Sequence, residues 1–169
     1  PTTEELDHDF LWRVHKEVPA KGQIAIFNRS HYEDIIAVRV KKIFPDPVWK
    51  RRYKHVLDFE SMLAEEGTVI IKLFLNISKE EQKKRLESRL QDPDKLWKFC
   101  MDDLDDRNRW DEFQTAYQDL IEKTSTPEAP WYIIPADRKW YRNLVVARLM
   151  VEKLRHLQLS LPTPNFDPA

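Results

Sequence analysis

Glycine is nearly missing from this chain: two residues in 169, Gly22 and Gly67. No glycine-rich loop of any kind can form within it. Cysteine is as scarce. Cys100 is alone, which excludes an internal disulfide and points to a reducing compartment. No apolar run approaches the roughly 20 residues of a membrane-spanning helix, and no signal peptide is visible. Charge of one sign is also lacking. The formal net charge is -1, so there is no bulk attraction to nucleic acid or anionic membrane, and any anion site must come from local clustering. Together these absences predict a cytoplasmic location. An initiating methionine is absent too. Pro1-Thr2-Thr3-Glu4-Glu5 carries the signals of a helix start, namely a proline, a hydroxyl cap and acids in the first turn. It reads as the beginning of an element, so the numbering is expected to start inside a longer or processed chain.

What is present is the material of one folded domain. Charged residues make up 34% and hydrophobic ones 41%, enough for a core in a chain of this length. Leu6, Phe10, Leu11 and Val14 recur at helical spacing and predict a first helix ending near Val18-Pro19. Gln23–Phe27 reads as a strand, Tyr32–Lys42 and Val48–Glu66 as helices, and Gly67 as the stop of the second. Thr68–Ile77 is apolar almost throughout, as strands buried on both faces are. Ser78 caps a helix over Lys79–Gln91, with Glu81 at the capping-box position. Asp92-Pro93-Asp94 interrupts it. A charge-dense stretch to Asp106 follows. Then come a helix from Arg107 to Lys123 with a Trp110/Phe113/Tyr117 stripe, a third strand over Trp131–Ile134, a closing helix over Trp140–Leu157, and a proline-rich tail over residues 160–169. Strands alternating with helices predict an α/β fold with a parallel sheet sandwiched by helices. Three strands are few for such a sheet.

The stretch Ile24-Ala25-Ile26-Phe27-Asn28-Arg29-Ser30-His31-Tyr32-Glu33-Asp34 is where chemistry is expected. It buries an apolar run and then delivers polar and charged groups at a strand's C-terminal end, where open α/β sheets bind ligands. Asp34, beside Glu33, reads either as a metal-binding carboxylate or as an acid complementing a helix dipole. Arg29 reads either as a phosphate clamp or as half of a surface ion pair. A second cluster, Lys83, Lys84, Arg85 and Arg89, is either a solvated face or a mobile basic lid. Arg85 and Arg89 share a helix face. His8 and His15 are two turns apart and read as structural. His31 can hydrogen-bond within its turn, and Cys100 lacks the partners of a nucleophile.

IFNRSHYED, with HVLDFESMLAEEGTVIIKLFLNISKEEQKKRLESR, WKF and DLDDRNRWDEFQTAYQDLIEKTSTPEAPWYIIPADRKWYRN, resembles the family-2 polyphosphate kinases over nearly the whole chain. SHYED in place of an SWYNR-type sequence resembles the subgroup that phosphorylates both AMP and ADP. The resemblance implies a P-loop kinase fold related to thymidylate kinases, and Mg²⁺-dependent phosphoryl transfer between inorganic polyphosphate and AMP or ADP, with ATP among the nucleotides bound. It implies that Asp34, in the family's Walker B region, helps hold Mg²⁺. Arg29 would contact phosphates, and Asn28, Glu33 and Asp34 would share the site. Asn28 stands where many members carry Asp. Arg85 and Arg89 would grip the phosphate chain from a lid over residues 79–106. Relatives form homo-oligomers. The family's phosphate-binding loop, on the central strand of its sheet, is not among these residues. Residues 1–159 are therefore expected to be the C-terminal two-thirds of such a domain, inactive alone. An ATP-dependent nucleoside monophosphate kinase, or a non-catalytic nucleotide- or phosphate-binding fragment, are the alternatives.

Overall fold

The computed structural model describes residues 1–160; the predicted tail lies almost wholly outside them. Two short helices open the chain, α1 over Thr3–Leu6 and α2 over Trp12–His15, where the sequence predicts one. The break is local chemistry. The Asp9 carboxylate accepts the Leu11 backbone N–H at 2.9 Å, a turn that competes with the helical ladder. Thr2 and Glu5 close a reciprocal capping box on α1.

Helix α3 (Glu33–Val40) is the centre of the fold. It carries Ile35, Ile36, Val38 and Val40, all buried. These apolar side chains fall on more than one face, so the helix must be covered on more than one side, and α3 packs against both α4 (Asp46–Glu65) and α7 (Trp110–Thr124). Trp49, Tyr53 and Val56 of α4 and Ala116 and Leu120 of α7 complete the core. Each fully buried Ile or Val contributes about 1.5–3 kcal/mol. Helix α4 ends as its sequence predicts. Gly67 takes φ 92°, with its N–H on the Ala64 carbonyl and the Thr68 N–H on that of Leu63; this is a Schellman stop, where a left-handed backbone favours glycine.

Two strands form among the described residues, β1 (Lys72–Asn76) and β2 (Trp131–Pro135), parallel and in register from Lys72↔Trp131 to Asn76↔Pro135. The parallel sheet is thus present. The predicted strand over Gln23–Phe27 is not: the segment makes no strand pairing, and Ile24 and Ile26 are 68% and 87% exposed. Its apolar run satisfies a strand pattern, but a strand exists only when a neighbour takes its hydrogen bonds. The strand predicted over Thr68–Ile77 is shortened to the residues that β2 pairs.

Beyond β1, α5 (Lys79–Gln91) is capped by the Ser78 hydroxyl on the Glu81 N–H. The capping box is half-made. Glu81 turns its carboxylate to Arg85, and the Ser78 N–H donates instead to Asp137 at 2.8 Å. A 3₁₀ turn over Leu96–Lys98 and α6 (Asp102–Asn108) lead to α7, and α8 (Lys139–His156) closes the described chain after β2.

Candidate active site

A cleft of about 300 Å³ opens at the C-terminal end of β1. Asn76 and Ile77 form its floor. Arg29, Glu33 and Lys41 reach it from α3 and the turn before it. Gln82 comes from α5 and Asp106 from α6, while Trp110, Phe113 and Tyr117 make an aromatic wall on α7. Five elements therefore converge where ligands of parallel sheets bind. A larger groove of about 560 Å³ is lined by α8 alone, with Arg148, Glu152, Arg155 and His156 among its residues, and no second element contributes to it.

Arg29 adopts φ 68°, a left-handed backbone uncommon for a side chain of this size. Its guanidinium donates to Glu33 Oε2 at 2.8 Å and is largely exposed. That hydrogen bond raises the Arg29 pKa, so the group stays cationic. Lys41 pairs with Asp106 at 2.9 Å. The Tyr117 ring packs against Phe74, tilted by 44° with centroids 4.9 Å apart. Burial, then the nearby Glu33 charge, pushes its phenol up to about 12, leaving a neutral donor at the aromatic wall.

Of the residues that the sequence singles out, Arg29 and Glu33 line the cleft and Asn28 lies exposed in the adjoining turn. Asp34 does not join them. Neighbouring helical residues project about 100° apart, and Asp34 turns to Arg13 at 2.8 Å and Arg52 at 3.7 Å. Arg52 also donates to its carbonyl at 2.6 Å. A carboxylate flanked by two guanidinium groups does not fit a Mg²⁺ ligand. No group of three or more His, Cys, Asp or Glu among the described residues could hold a metal ion. Arg85 and Arg89 lie outside the cleft lining. Arg85 donates to Glu81 and to the carbonyls of Ala136 and Asp137, and Arg89 to Asp103 at 3.2 Å.

Sequence reasoning passes over Lys41, Asn76 and Asp106 and reads Trp110, Phe113 and Tyr117 only as the stripe of a helix. It also passes over a buried polar network at the other end of β1. Tyr32 donates to Glu60 Oε1 at 2.6 Å. Lys72 Nζ donates to Glu60 Oε2 at 2.6 Å, to the Thr124 carbonyl at 2.7 Å and to the Tyr32 oxygen at 3.1 Å. The lone lysine in an otherwise apolar strand is the signal that could have found it, since a buried charge needs a partner. His31 stacks on Tyr32, with Nε2 3.5 Å from Glu60, and neither ring nitrogen makes a hydrogen bond.

A family model described as polyphosphate kinase 2 matches residues 1–161. The AMP/ADP-polyphosphate phosphotransferase of Meiothermus ruber is 56% identical over 165 residues, 98% of this chain and 62% of that protein. The ADP-polyphosphate phosphotransferase of Rhodopseudomonas palustris is 38% identical over 174 residues, 96% of this chain and 60% of that protein. The crystal structure of polyphosphate kinase 2 from Arthrobacter aurescens TC1 superposes with a TM-score of 0.94 at 50% identity, covering 99% of this chain and 59% of that one. The chain thus spans about three-fifths of the length of these relatives. With a family model matched across almost all of its length, the chain belongs to the polyphosphate kinase 2 family.

Proposed function

We propose that this chain is the cleft-bearing part of a polyphosphate:nucleotide phosphotransferase, moving a phosphoryl group between inorganic polyphosphate and AMP or ADP, with ATP as product or donor on the nucleotide side. The observation that carries this is the cleft at the end of β1, where Arg29 and Lys41 share the lining with the aromatic side chains of α7. Phosphoryl transfer asks for positioning and for cations on the charge that develops, with little covalent chemistry from the protein. Arg29 offers a planar fork to phosphate oxygens once they displace Glu33. Lys41 adds a second charge at the same wall, and Trp110, Phe113 and Tyr117 offer ring faces to a nucleobase.

The P-loop kinase architecture belongs to this proposal, with the phosphate-cradling loop on a strand outside residues 1–169. The unpaired Gln23–Phe27 segment, exposed and apolar, supports it, being what a strand looks like without its neighbour. Residues 79–106 are proposed as a lid. Arg89 sits on it and would turn from Asp103 to phosphate on closure, and Arg85 is the hinge-side contact to β2. Asn28 stays with Arg29 in the phosphate-facing turn. No residue here is assigned to Mg²⁺. The ion enters the proposal only as one that accompanies the phosphates. A cytoplasmic enzyme assembled from identical subunits completes the reading; no helix among the described residues is long and apolar enough to cross a membrane.

The test is donor competition in the full-length protein. ATP is expected to form from ADP and polyphosphate, with Arg29→Ala reducing the rate and residues 1–169 alone inactive. A protein that phosphorylates AMP from ATP and ignores polyphosphate would overturn the donor assignment. Robust turnover by residues 1–169 would overturn the external loop.

A further inference from the structure

Arg29 holds a left-handed backbone, φ 68°, which persists in an L-residue only where the surroundings enforce it. The enforcement does not come from the residues before it. Gln23–Phe27 pairs with no strand, and Ile26 is among the most exposed apolar side chains described. It comes from the other side. Three residues on, Tyr32 is buried to 5% exposure. Its hydroxyl is held between Glu60 of α4 and Lys72 of β1, and Lys72 is fixed in turn to the Thr124 carbonyl that ends α7. The Tyr32 ring stands edge-on to Trp131, the first residue of β2, at 4.9 Å. The Tyr32 carbonyl accepts the Ile35 and Ile36 N–H groups that begin α3. One side chain therefore joins the Arg29 turn to two helices and both strands.

A phenol between a carboxylate and an ammonium has one low-energy orientation, whereas an apolar plug of the same size can shift along its socket. We propose that Tyr32, seated in the Glu60–Lys72 pair, is a positioning residue that fixes where Arg29 presents its guanidinium to the cleft. This rests on reading the cleft as a phosphate site. Tyr32 touches no substrate; it acts through the backbone of residues 29–32.

Tyr32→Phe deletes one oxygen and keeps the ring. In the full-length protein, inorganic polyphosphate binding is measured by calorimetry for wild type, Arg29→Ala, Tyr32→Phe and the double variant. Amide hydrogen exchange is followed across residues 28–40. Tyr32→Phe is expected to weaken polyphosphate binding several-fold, and by no more than Arg29→Ala does, because it acts only through Arg29. It is expected to speed exchange at Glu33 and Asp34 but not at Val38–Val40, and to add nothing once Arg29 is gone. Wild-type affinity in Tyr32→Phe, or a loss that adds fully to that of Arg29→Ala, would overturn the proposal. A wild type that binds no polyphosphate sinks the phosphate reading instead, and the exchange pattern still decides the clamp. Should Tyr32→Phe not fold, the double variant Glu60→Met/Lys72→Met, which removes the ion pair whole and leaves no charge buried alone, strips the Tyr32 hydroxyl of both partners and carries the same outcomes.

Discussion

Lys41 and Asp106 meet at 2.9 Å on the wall of the cleft, joining α3 to α6. Asp106 raises the Lys41 pKa by hydrogen bonding and also cancels the charge that an anionic ligand would meet. Both side chains are about one-third exposed, so the pair adds less than about 1 kcal/mol. Asp106→Asn should leave the urea midpoint almost unmoved and tighten polyphosphate binding at low salt. The gain should fade as ionic strength rises. Titrations at two salt concentrations check this; weaker binding in the variant would refute it.

Arg29→Gly should separate stability from binding. The left-handed backbone costs an ordinary residue about 1–2 kcal/mol. Against that stand the exposed Glu33 pair, worth about 0.3–0.5 kcal/mol, and the extra unfolded-chain freedom of glycine, about 0.5–1 kcal/mol. Stability is expected to stay level or rise by up to about 1 kcal/mol, while polyphosphate affinity falls. Denaturation and calorimetry on one preparation test both halves.

Acid should find Glu60. Burial works to raise its pKa. The groups around it, His31, Lys72 and Tyr32, outweigh burial and hold the carboxyl below its ordinary 4.5. A carboxyl depressed in the folded state gives stability that is complete above the unfolded value and lost as pH falls through the folded one. The urea midpoint should therefore begin to drop below about pH 4.5. Glu60→Gln, which leaves Lys72 buried without a charge partner, should cost about 3–5 kcal/mol at pH 7 and show a shallower acid limb. An equally steep acid limb in that variant would remove Glu60 from the account.

The two arginines of α5 should part company. Arg85 serves the carbonyls of Ala136 and Asp137 with one guanidinium, and Ala in its place should cost about 1–3 kcal/mol. Lysine should rescue it poorly, lacking the fork. Arg89, whose pair with Asp103 is about one-third exposed on both sides, should cost under about 1 kcal/mol and lose polyphosphate affinity instead. Thermal melts and binding isotherms of the two alanine variants distinguish them.

Helices were largely legible from periodicity and caps. The Gly67 stop and the Ser78 cap stand where the residues put them, because both signals act within one turn of chain. Pairing was not legible. Gln23–Phe27 has the side chains of a strand, yet strand formation depends on a neighbour that no local pattern specifies. Arg29 and Glu33 line the cleft because they follow the apolar run directly. Asp34 stands apart from them because adjacency in sequence does not mean a shared face: one step along α3 takes its carboxylate from the cleft to Arg13 and Arg52. Lys41, Asp106 and the α7 aromatics are brought together only by packing. Lys72 sat inside an apolar run, with partners 12 and 40 positions away.

The bare run at Ile24–Phe27 also bears on how these residues behave in a tube. Its unpaired amides and carbonyls and its outward isoleucines resemble the open edge on which chains stack into sheets. A preparation of residues 1–169 should become turbid on concentration or warming, and Ile26→Lys, which places a charge on that edge, should keep it clear.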